Sequence, residues 1–181
     1  MSPRKTCNIK YSLPALVFTL FHLTSVAQET AISQDISSVE ELDRVYGAGA
    51  ANLAIIDQQG NFNRISARQD GVVNFLSALQ NGHQNVLYVI QSGNQNSVTS
   101  KQLGDANIAA LIQVGYENLI LIQQTGYGHS VNISQYGYQN IAKISQVGAY
   151  NEINIYQNGN GLHAAVKQTG ATLTTIVKQY D

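Results

Sequence analysis

The chain has 181 residues, a formal net charge of −1 and only 12% charged residues, about half the ~25% usual in globular domains. Near-neutrality leaves no basic stripe to neutralise phosphates, which argues against nucleic-acid binding. The single cysteine, Cys7, excludes a disulfide framework and any cysteine-based metal site. Amides replace the missing charge, 19 Gln and 17 Asn, and from residue 28 onward there is no Pro, Cys, Met or Trp.

Taken in chain order, residues 1–27 read as a secretory signal peptide. Arg4, Lys5 and Lys10 form a positive start, residues 13–23 an apolar stretch, and Ser25-Val26-Ala27 a small-x-small site that places cleavage between Ala27 and Gln28. The apolar run is shorter than the ~20 residues a membrane-spanning helix needs. A lipoprotein would carry its cysteine after that run, whereas Cys7 precedes it. The exported chain then has 7 basic and 11 acidic residues, with Glu29, Asp35, Glu40, Glu41 and Asp43 crowded into its start. This leader, 28–51, is polar and Ser-rich, a composition that cannot bury enough apolar surface to order itself. Residues 39–46 suit a turn or two of helix, too short to stand alone.

From residue 52 an eleven-residue repeat organises the chain. Gln recurs without one insertion as Gln58, Gln69, Gln80, Gln91, Gln102, Gln113, Gln124, Gln135, Gln146, Gln157, Gln168 and Gln179. Two residues after each comes Gly60, Gly71, Gly82, Gly93, Gly104, Gly115, Gly126, Gly137, Gly148, Gly159 and Gly170, with Asp181 breaking the column at the last residue. The units open on Asn52, Asn63, Asn74, Asn85, Asn96, Asn107, Asn118, Asn140 and Asn151, while His129, Leu162 and Leu173 fill the same slot in the other three. Such periodicity is the signature of a repeat architecture.

Each unit follows N-x-φ-x-φ-x-Q-x-G-x-x, with φ apolar. Numbering the Asn as position 0, the first φ column (position 2) ends in Thr175 and the second (position 4) is interrupted by Ser100, but both are otherwise apolar. Positions 0, 2, 4 and 6 share one face of a β-strand, whereas helical geometry scatters them. The expectation is a short strand followed by a turn in each unit, with the glycine supplying the turn's left-handed backbone. One strand cannot bury its face alone, so two strands per coil are required. Twelve units then give an all-β solenoid of six coils, stacked at ~4.8 Å over roughly 30 Å.

Within that fold the amides flank the apolar pair on the inward face. A buried amide without partners costs several kcal/mol, but one stacked on its own kind can both donate and accept, forming a ladder that fixes register. Proline, which would delete a ladder N–H, is absent for that reason. Both ends of such a solenoid present unpaired strands. Residues 174–179 run to the chain end with Lys178 and Asp181 nearby, and no substantial cap is visible at either end. Low charge, no proline and open edges are the composition of a cross-β assembly. Outward positions are polar in many units but apolar at Phe75/Leu79, Val86/Tyr88/Ile90, Ile108/Ala110/Ile112 and Leu119/Leu121, candidates for lateral contact with another filament or the outer-membrane surface.

Catalytic and ligand-binding readings find little footing. His83, His129 and His163 lie many units apart, and His129 reads as a substitute for an amide in its ladder. Carboxylates in the repeats are scattered, without a pair at fixed spacing for acid–base work. The calcium-binding G-G-x-G-x-D repeat is absent. Tyr116, Tyr127 and Tyr138 share a turn column, in which Tyr116 and Tyr138 are expected to stack. A monomeric solenoid binding ice or carbohydrate would need a regular outward Thr or aromatic column, which is missing.

The columns resemble the curlin repeat of bacterial curli, the functional amyloid of biofilms, over 52–181. Residues 52–69 (NLAIIDQQGNFNRISARQ) are similar to the first repeat of the family's minor subunit, the fibre nucleator. All units share one template, and the last two lose the Asn column while carrying Lys167 and Lys178, as degenerate nucleator repeats do. The chain departs from that pattern in having fewer basic residues at its C-terminus. The resemblance implies an extracellular, non-enzymatic fibre protein of a Gram-negative bacterium, without cofactor. It further implies export through a dedicated pore with accessory proteins, surface association, and templating of a major curlin subunit by addition of strands to an open edge. The major fibre subunit itself is the alternative.

Overall fold

The computed structural model describes residues 52–181 and two short segments before them. Those segments are β1 (Thr6–Cys7) and β2 (Phe21–Thr24). The Ala27/Gln28 junction and the 28–51 leader, with its expected helical turn at 39–46, lie outside the described residues. Each repeat then contributes one strand: β3 (Leu53–Asn61), β4 (Arg64–Val72), β5 (Phe75–His83), β6 (Val86–Asn94), β7 (Ser97–Asp105), β8 (Ile108–Tyr116), β9 (Leu119–Tyr127), β10 (Ser130–Tyr138), β11 (Ile141–Ala149), β12 (Glu152–Asn160), β13 (His163–Ala171) and β14 (Thr174–Tyr180).

Odd strands pair with odd and even with even, so two sheets form in the orders β1-β3-β5-β7-β9-β11-β13 and β14-β12-β10-β8-β6-β4-β2. Among the repeats every pairing is parallel and offset by 22 residues, as in Leu53↔Phe75 and Gln113↔Gln135. The expected two-strand coil is therefore the observed one, and twelve strands make about six turns. By contrast, β1 and β2 run antiparallel to β3 and β4.

The core lies between the two sheets and consists of the φ columns. Leu76, Val98, Ile120, Ala142 and Ala164 face it from one sheet, and Ile65, Leu87, Ala109, Val131 and Ile153 from the other. Parallel strands usually lie in sheets covered on both faces. Among the described repeats these sheets pack on one another through one face, and pairing of identical columns supplies the further constraint on register.

The strands are longer than the sequence reading expected. All the repeat strands but the last, β3 to β13, span nine residues and include the glycine. The chain bends one step later, at the residue immediately before the position-0 slot. There Phe62, Val73, Gln84, Gln95, Ala106, Glu117, Gln139, Tyr150 and Thr172 have φ of 55–59°, and Gly128 and Gly161 take φ of 66° and 64°. Left-handed geometry at the corner thus falls mostly on residues with a Cβ, where it is strained, most of all at β-branched Val73 and Thr172.

Candidate functional site: amide ladders and sheet edges

The glycine column supplies the positive φ its turn-like sequence implied and has a second task beside it. Gly60 to Gly170 have φ between 101° and 150°. At Gly115, for example, a Cβ would overlap the carbonyl oxygen of Gly137 in the next coil. The column therefore allows the coils to approach within the strand, and the corner residue does the bending.

The Gln column forms two unbroken ladders. All ten possible links are made, each from a side-chain Nε2 to the Oε1 of the Gln 22 residues later, at 2.7–3.1 Å. The other amide hydrogen reaches across the core to the first strand carbonyl of the preceding unit. Gln113 donates to the Ser97 carbonyl at 3.1 Å, and Gln124 to that of Ile108 at 3.1 Å. One side chain thus joins successive coils and staples the two sheets together. From Gln80 to Gln157 the column is fully buried, and an amide so placed is stable only when its hydrogen-bonding groups are paired.

The Asn column does something the sequence did not show. Its Oδ1 accepts the backbone N–H of the position-0 residue in the next coil, as in Asn85 N–H to Asn63 at 3.0 Å and Asn140 N–H to Asn118 at 3.1 Å. Direct Asn–Asn amide bonds accompany this from Asn74→Asn52 to Asn118→Asn96. The Nδ2 group also donates forward to a glycine carbonyl, such as Asn118 to Gly137 at 2.9 Å. Asn therefore satisfies the corner's backbone groups, which would otherwise be buried and unpaired.

His129 occupies this slot fully buried. Its Nδ1 faces the N–H of Asn151 at 3.3 Å and its Nε2 the carbonyl of Thr125 at 3.1 Å. An N–H can only donate and a carbonyl can only accept, so the ring is the neutral tautomer with its proton on Nε2. In that state Nδ1 replaces the Asn oxygen and Nε2–H the Asn amide hydrogen.

The outer faces differ from one another. Val86, Tyr88 and Ile90 lie in register beside Ile108, Ala110 and Ile112, giving one contiguous apolar patch on the even-strand sheet. Phe75/Leu79 and Leu119/Leu121 lie on the opposite sheet, separated by β7 with Ser97, Thr99 and Lys101. The sequence reading grouped all four as middle units, but alternate units face opposite ways. The odd-strand sheet also carries an open groove lined by Lys101, Lys143 and Lys167, whose convergence becomes visible only once every second unit is stacked.

Tyrosine contacts differ from expectation as well. Tyr116 and Tyr138 are in register, but the Tyr116 hydroxyl bonds Glu117, which raises its pKa. Glu117 is held below the usual carboxylate range by a 2.8 Å bond from Gln139 and by Tyr116. Ring contacts form at Tyr127–Tyr150, Tyr136–Tyr156 and Tyr156–Tyr180. His83 and His163 are exposed, whereas His129 is buried. Among the described residues no group of three His, Cys, Asp or Glu is placed to hold a metal ion.

Residues 148–180 match the family model described as Curlin associated repeat. The matched stretch contains the Gln and Gly columns, and Asn151 of the Asn column, that run in register back to residue 52. No curated protein and no solved structure matches the chain.

Proposed function

We propose that this chain, which carries the curlin associated repeat, is a curli-type structural amyloid subunit that acts on the cell surface as a nucleator. The curlin repeat and the solenoid together point to a structural rather than catalytic protein. The observation that carries the nucleator reading is the coil itself. Each internal coil is a finished template, with backbone groups, two Gln amides and the corner groups set at the spacing the next coil needs. A chain adding to such an edge meets strands already ordered, which removes much of the entropic penalty of forming a first coil.

In this reading the signal peptide 1–27 directs export, and the leader 28–51 engages the secretion pore and its accessory proteins. The partner is a disordered major curlin subunit, with self-association into the fibril as the related reaction. The apolar patch of β6 and β8 is the surface for lateral contact with a filament or the outer membrane.

The test is a seeding assay. Preformed exported chain, added at a few mole per cent to monomeric major curlin subunit, should abolish most of the lag before fibres form. Seeding no better than buffer would sink the nucleator reading. Rapid unseeded polymerisation of the chain, without effect on a major subunit, would identify it as the fibre subunit instead.

A further inference from the structure

The two ends of the solenoid are chemically unequal. Between coils, hydrogen bonds run in fixed directions. Gln Nε2 points toward the C-terminal end, and the corner N–H of each coil points back to an Asn Oδ1 in the coil before it. At the N-terminal edge of the repeats, formed by β3 and β4 and overlaid in part by β1 and β2, the receiving groups of the Gln columns are present. Gln58 and Gln69 have Oε1 atoms aligned with their columns, and Asn52 and Asn63 hold the position-0 slots.

At the C-terminal edge, formed by β13 and β14, the pattern fails three times. Position 0 is Leu162 and Leu173, whose own N–H groups are accepted by Asn140 and Asn151 at 2.9 and 3.0 Å. Neither leucine has an oxygen for the corner N–H of a following coil, or an amide hydrogen for its glycine carbonyl. Asp181 stands in the glycine column and folds back to accept the Asn160 N–H at 2.8 Å. Gln168 is already turned onto the Thr175 hydroxyl at 3.0 Å.

We infer that the N-terminal edge is the docking surface and the C-terminal edge a built-in stop. The occupant is the C-terminal coil of a second curlin-repeat chain that has Asn in both position-0 slots and Gly in its last column. Such a coil would extend every internal ladder across the junction. Two copies of the present chain stacked head to tail would continue the Gln ladder through Gln179, continue that of Gln168 only by breaking its Thr175 bond, and lose the corner bonds on both sides. In the full chain β1 and β2 cover two and four residues of this edge, and both lie in the segment read as signal peptide. The inference rests on the fibre reading above and adds to it a direction and a partner chemistry.

The probe is the chain carrying Leu162→Asn, Leu173→Asn and Asp181→Gly, whose C-terminal coil has the required columns. Elongation of wild-type seeds by this variant's monomer is compared with elongation by wild-type monomer, all in the exported form. The repaired variant should add at least tenfold faster. Addition of both monomers should fall at least tenfold on seeds carrying Gln58→Leu and Gln69→Leu, which lack the ladder acceptors of the N-terminal edge and whose folding is checked by circular dichroism. Equal rates for the two monomers overturn the stop at the C-terminal edge. Undiminished addition of the repaired variant to the Gln58→Leu/Gln69→Leu seeds overturns the N-terminal docking surface. Absence of growth from any seed overturns this inference and the fibre reading together.

Discussion

Replacing His129 with Leu would leave the buried Asn151 N–H without its side-chain acceptor and remove the side-chain bond to the Thr125 carbonyl. The expected cost is about 1–3 kcal/mol, whereas His129→Asn, which restores the column's usual atoms, should be near neutral; denaturant unfolding of the pair separates the two. Ser100 is the converse case, a buried hydroxyl in the apolar column whose Oγ has no partner. Ser100→Ala removes a desolvated polar group and should raise stability by about 1 kcal/mol. At the corners, Val73→Gly relieves φ of 58° at a β-branched residue and should stabilise by about 1 kcal/mol. Gly115→Ala should instead cost about 3 kcal/mol through its clash with Gly137 and its φ of 125°.

At the scale of the strand, the inward face was legible because position 6 is always Gln and positions 2 and 4 are almost always apolar, a period-2 pattern that a helix cannot satisfy. The strand ends were not legible. The glycine resembles a turn residue, and the true corner is occupied by Phe62, Val73, Gln84 or Glu117, residues with no shared chemistry and no turn propensity. Tertiary stacking, not local preference, forces the bend there. The role of the Asn oxygen was hidden for the same reason, since its partner is a backbone N–H found only after coils are stacked. Gln113→Ala should show what a ladder member contributes. It breaks links to Gln91, Gln135 and Ser97 and should cost about 3 kcal/mol. Gln123→Ala, on the exposed side of β9, should stay within about 0.5 kcal/mol in the same unfolding experiment.

For the whole molecule, the columns make each coil a near copy of the next, so the force that holds the monomer together is the one available for assembly. Amide ladders running in fixed directions give the stack a polarity, and the outer faces give it sides, one with an apolar patch and one with a lysine-lined groove. The central claim is that fibres grow by stacking folded solenoids of about six coils, not by pairing each repeat in register with its copy in a neighbouring chain. Mass per length of fibres grown from the Leu162→Asn/Leu173→Asn/Asp181→Gly variant, whose C-terminal edge is open, measured by scanning transmission electron microscopy, tests this directly. Stacked solenoids require one chain for roughly 29 Å of a single filament, six coils at ~4.8 Å. One chain per ~4.8 Å, the value for in-register amyloid, would contradict the account.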